Sequence, residues 1–90
     1  MQLSLTGRNL DVTPHLRQLV TRRMAKLERL LNDSLISAQV VLSVKKFRHR
    51  VDITVHTRGE HVLHGTGDGE GWPVSLKAAM DKIAQQAKTV

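Results

Sequence analysis

Ninety residues with about 40% apolar side chains suffice for one small domain, read here as residues 1–90, with one modest core. There is no cysteine, which excludes disulfides and thiolate metal sites, and no apolar run of membrane-spanning length. Fourteen Lys and Arg against eight Asp and Glu leave +6, an excess that favours anionic partners, nucleic acid foremost.

In chain order, Gln2 to Thr6 alternates polar and apolar residues and reads as a short strand with Leu3 and Leu5 inward. Gly7 to Asp11 is a loop. From Thr13 to Asp33 runs the longest helical pattern. Leu16, Leu19, Val20, Met24, Leu27, Leu30 and Leu31 recur at three- and four-residue steps and form its apolar side. Thr13 suits the cap and Pro14 the first helical position, where no N–H is needed. Asn32 and Asp33 favour a stop. The opposite side carries His15, Arg22, Lys26 and Arg29, flanked by Arg17 and Arg23, against the single acid Glu28. A solvated face usually mixes signs. This one is a rod roughly 30 Å long that presents cations.

Ile36 to Lys46 reads as a strand with Ile36, Ala38, Val40, Leu42 and Val44 on one face. Lys45 to Arg50, KKFRHR, has four cations and no acid, and its middle is the turn of a hairpin. Val51 to Thr57 is the returning strand. Asp52, among Arg50, Thr54 and His56, reads as a charge partner. Arg58, Gly59 and Glu60 turn the chain into a weaker strand, His61 to Thr66, with Val62 inward and Leu63 or His64 beside it. The GTGDGEG stretch reads as a strand end and flexible loop. As a phosphate cradle it lacks both the dinucleotide fingerprint and the P-loop lysine. Trp72 and Pro73 open the last helix, whose stripe is Leu76, Ala79, Met80, Ile83, Ala84 and Ala87.

The order strand, helix, three strands, helix predicts an α+β fold. The first helix is a crossover between parallel strands, the later strands form an antiparallel meander, and both helices lie on one side. Their outward faces then make one surface. The candidate RNA-binding residues are Arg22, Arg23, Lys26 and Arg29 on the first helix, Lys45, Lys46, Arg48 and Arg50 at the hairpin, and Lys77, Lys82 and Lys88 on the second helix. With Phe47 and Trp72 the only aromatic residues, a row of base-stacking rings is excluded, and recognition of backbone and shape fits better.

Catalysis finds little footing. No serine sits in a nucleophile-elbow context, and Asp68 and Glu70 stand in a glycine-rich stretch that positions them poorly. His61 and His64, three apart, point to opposite faces of a strand and lack a third ligand. The reading is a non-enzyme with no metal and no cofactor.

The segments MQLSLTGRNLDVTPHLRQLVTRRMAKLERL, VVLSVKKFRHRVDITVHTRGEHVLHGTGDGEGW and AAMDKIAQQAKT together resemble the ribosome hibernation-promoting factor family, also called ribosome-associated inhibitor or sigma-54 modulation proteins, in its short form. The resemblance implies a β-α-β-β-β-α domain with a four-stranded mixed sheet and two helices packed on one face, similar in layout to double-stranded RNA-binding domains. It implies a cytoplasmic protein that binds the small ribosomal subunit (16S rRNA) where messenger and transfer RNA would sit, and blocks translation in stress or stationary phase. Short members promote ribosome dimers with ribosome modulation factor. Neither a membrane nor a small-molecule substrate is implied. By position, family basic residues fall on Arg22, Arg23, Lys26 and Lys82, with Lys88 and the Lys45–Lys46 pair near others. At Gly71 to Lys77 the chain departs from the family's usual D-M-Y-A-A-I-D. The alternative reading is a basic module that binds an acidic protein such as a transcription factor.

Overall fold

The computed structural model describes residues 1–89. Its elements are β1 (Gln2–Arg8), α1 (Pro14–Leu30), β2 (Leu35–Lys45), β3 (Arg48–Thr57), β4 (His61–Gly69) and α2 (Trp72–Thr89). The four strands form one mixed sheet in chain order. β1 runs parallel to β2, with Leu3 opposite Ala38 and Arg8 opposite Ser43. A parallel neighbour needs a long crossover, and α1 supplies it. β2, β3 and β4 are antiparallel, joined by short turns. Both helices start at the sheet end that carries the β2–β3 turn, so they run side by side in the same direction.

Thr13 caps α1: its Oγ1 accepts the Leu16 N–H at 3.2 Å, and Pro14 follows in the first turn. Asn32 and Asp33 end the helix in the left-handed region, with φ of 55° and 57°. Their N–H groups donate to the carbonyls of Arg29 and Glu28. Oxygens that the helix leaves without partners are thereby satisfied.

The core lies between the sheet and the two helices. Leu16, Val20, Met24 and Leu27 of α1 and Leu76, Ala79, Met80 and Ile83 of α2 close over Ala38, Val40, Leu42, Val51, Ile53, Val55 and Leu63. Leu30 is exposed, contrary to the periodic reading, because it lies to one side of the line through Leu27 and the partly buried Leu31 and turns toward the gap between the helices.

Three strand expectations are corrected. In β2, Leu35 is buried and Ile36 is 54% exposed. A register shift between Leu35 and Ser37 resets the alternation before Ala38. Val44 lies at the hairpin end, beyond the cover of the helices, and is exposed. In β4, Leu63 faces inward and Val62 outward.

The largest correction concerns the glycines. β4 continues past the expected Thr66 to Gly69, so Gly67 and Gly69 are buried strand residues like Gly65, not a flexible loop. A Cβ on Gly67 would collide with the backbone oxygen of Ser75 and come within 2.7 Å of the Ala79 nitrogen. One on Gly69 would come within 2.9 Å of the Val74 side chain. The glycines let the α2 backbone lie directly on the strand. They are packing positions, not a phosphate cradle. Ser75, fully buried, donates from its hydroxyl to the His49 carbonyl at 2.6 Å and ties α2 to β3. At the outer edge of β4, the Gln86 amide accepts the His64 N–H at 3.1 Å and donates to the His64 carbonyl.

Candidate nucleic-acid interface

The cations divide into two groups. The first surrounds the groove between the helices. Arg23 and Lys26 of α1 and Lys77 of α2 line it, over a floor of Leu27, Leu30, Met80 and Ala84. At 3.6 residues per turn, Arg23 and Lys26 lie on the flank of α1 that faces α2. Arg22 and Arg29, seven apart, are exposed on the crest above them. Lys88 extends the lining toward Leu30, Leu31 and Asn32 at the far ends of the helices. Asp81, which the sequence reading left out, also lines the groove. It pairs with Lys77 one turn earlier at 3.7 Å, and both side chains are largely exposed. Such a pair is worth little and opens readily to a stronger anion. Its signal in the sequence was the four-residue spacing of opposite charges.

Lys82 is exposed but does not join the groove. It lies five residues beyond Lys77, about 140° round the helix, on the flank away from α1. The expectation that all helix cations share one surface therefore narrows to Arg23, Lys26 and Lys77, with Arg22, Arg29 and Lys88 beside them.

The second group is the hairpin. Lys45, Lys46, Phe47, Arg48, Arg50 and Asp68 surround a shallow depression of about 470 Å³. Arg50 is partly engaged: its Nε donates to Asp52 Oδ2 at 3.3 Å. The Thr66 hydroxyl donates to the other Asp52 oxygen at 2.8 Å. Burial alone would raise the Asp52 pKa. The hydrogen bonds from Thr66 and Arg50, with the charges of Arg50 and His64, outweigh it and hold the carboxyl below its usual value. Asp52 is thus the charge partner that its neighbours implied.

Among the described residues no group of three or more His, Asp or Glu could hold a metal ion. No described helix is long and apolar enough to cross a membrane.

The family model described as sigma 54 modulation protein / S30EA ribosomal protein matches residues 3–90. The chain belongs to this family. It is 37% identical over 86 residues to the ribosome hibernation promoting factor of Escherichia coli (strain K12), a match covering 96% of this chain and 88% of that protein. It is 31% identical to the factor of the same name from Azotobacter vinelandii, covering 96% and 78%. Among solved structures, the Thermus thermophilus Protein Y N-terminal domain superposes with a TM-score of 0.85 at 27% identity, covering 99% of this chain and 98% of that one. A ribosomal subunit interface protein from Coxiella burnetii also gives 0.85, at 22% identity, over 99% and 96%. The family and fold that the resemblance implied are therefore those of this protein. Of the basic positions carried over from the family, the structure gathers Arg23 and Lys26 on the groove, sets Arg22 above it, and places Lys82 on the other flank of α2.

Proposed function

We propose that this protein is a ribosome hibernation factor. It binds the small ribosomal subunit in the channel used by messenger and transfer RNA and inhibits translation under stress or in stationary phase. It acts in the cytoplasm by occupancy, without catalysis or a cofactor. Arg22, Arg23, Lys26, Arg29, Lys77, Lys82 and Lys88 supply the helix-side charge for 16S rRNA. Lys45, Lys46, Arg48 and Arg50 supply that of the hairpin. Inactive ribosome dimers formed with ribosome modulation factor are a further consequence of this reading.

The observation that carries this reading is the convergence of Arg23, Lys26 and Lys77 on one interhelical groove in a chain of this family. A groove with cationic walls and no enclosed chemistry suits the phosphate backbone. The names of the curated relatives speak of ribosomes, and nothing in them favours an acidic protein partner.

The test is sucrose-gradient sedimentation with ribosomes and separated subunits across a salt series. Co-migration with the small subunit is expected. If ~6 phosphates are neutralised, affinity falls as roughly the fourth power of salt. Changing Arg22, Arg23 and Lys26 together to Ala should abolish co-sedimentation at moderate salt. Folding should be retained, since none of the three side chains is buried and surface substitutions typically change stability by only ~0.5 kcal/mol or less. Failure to co-migrate at low salt would overturn the ribosome reading. A triple variant that still co-sediments would overturn the surface.

A further inference from the structure

The β2–β3 turn breaks two local rules. Lys45 pairs with Arg48, so Lys46 and Phe47 alone make the turn. Lys46 sits in the left-handed region at φ 58°, where a two-residue hairpin would ordinarily use Gly or Asn. Phe47 is 91% exposed, the most exposed of the large apolar side chains. Neither choice helps the fold. Local departures of this kind concentrate at functional sites.

Around this ring stand Lys45, Lys46, Arg48 and Arg50, with Asp68 the one acid on the rim of the depression. Asp68 lies across the strands from Arg50. Lys45, Lys46 and Arg48 take part in no ion pair among the described residues. An apolar plane among free cations matches a base next to its phosphates.

We infer that the hairpin tip is a binding site for an unpaired nucleotide of RNA, with Phe47 stacking on the base and Lys45, Lys46 and Arg48 holding the adjoining phosphates. The inference deepens the ribosomal reading and takes from it RNA as the partner class. It adds a contact that the helix groove cannot make. The groove reads backbone, whereas the tip requires a base free of its pair. Stacking on one aromatic ring tolerates any base, so the tip selects single strands or bulges rather than a sequence.

The test uses the full chain with two fluorescent RNAs of equal length, one single-stranded and one a blunt duplex. Phe47→Ala should weaken single-strand binding by roughly 5- to 150-fold and leave duplex binding unchanged. Phe47→Trp should restore single-strand affinity. Because the ring is exposed, the thermal midpoint should not move. The inference is overturned by a wild-type chain that does not bind the single strand. It is also overturned by Phe47→Leu with full affinity, or by equal losses on both RNAs. A polyglutamate peptide bound as tightly as the single strand, and lost equally with Phe47→Ala, would replace RNA with acidic protein at this site. The two readings fail separately. Phe47-dependent RNA binding without co-sedimentation sinks the ribosome and keeps the tip. Co-sedimentation with Phe47→Ala inert on the single strand does the reverse.

Discussion

The two faces of the sheet are built by opposite means. The covered face is closed by apolar side chains from α1 and by the near absence of side chains under α2, where Gly65, Gly67 and Gly69 admit the helix backbone. The open face carries Ser4, Gln39, Thr54, His56 and the Arg50–Asp52–Thr66 network, all at least partly exposed. The difference teaches where stability and charge can reside. Folding energy is concentrated between sheet and helices, so the outer surfaces are free to carry cations.

Three changes test that division. The largest effect should come from Leu27→Ala on the covered face. Leu27 is fully buried, and its truncation should cost about 2–5 kcal/mol in chemical denaturation. Gly67→Ala should come next, at about 3 kcal/mol, the upper end for overpacking, because the added methyl meets backbone that cannot yield unless α2 lifts. If Gly67→Ala were neutral, the close seating of α2 would be wrong.

The smallest should be Asp52→Asn on the open face, about 1 kcal/mol or less at neutral pH, by loss of charge-assisted hydrogen bonds. Its sign with pH is fixed. The native pKa of Asp52 lies below the unfolded value, so its contribution is present above the usual 3.8 and disappears as pH falls through the lowered native value. The gap in thermal midpoint between wild type and Asp52→Asn should therefore close in acid. A gap that widened in acid would contradict the network.

Much of this was legible in the residues. Side chains that carry a period announce themselves, and α1 was readable from its leucines, its Thr13 cap and its Asn32–Asp33 stop. The element order followed. What stayed hidden has a common cause. A buried glycine has no hydrophobic signal, so the last part of β4, with Gly67 and Gly69, read as a strand end and loop. The register shift at Leu35 inverted the assignment of one residue, Ile36, because a strand alternates with period two. The cations were visible as a set, but their grouping was not. Which flank of α2 meets α1 decides that Lys77 joins the groove and Lys82 does not, and only the packed structure fixes it.

The Gln86 amide has a consequence beyond holding α2 to β4. An outer strand of a sheet offers its free N–H and carbonyl groups to any extended chain that passes. At His64 both of those groups are already taken from within the same molecule. A second strand could add itself there only by first displacing the amide. The middle of this edge is thereby closed to sheet extension, a safeguard against self-association through this edge.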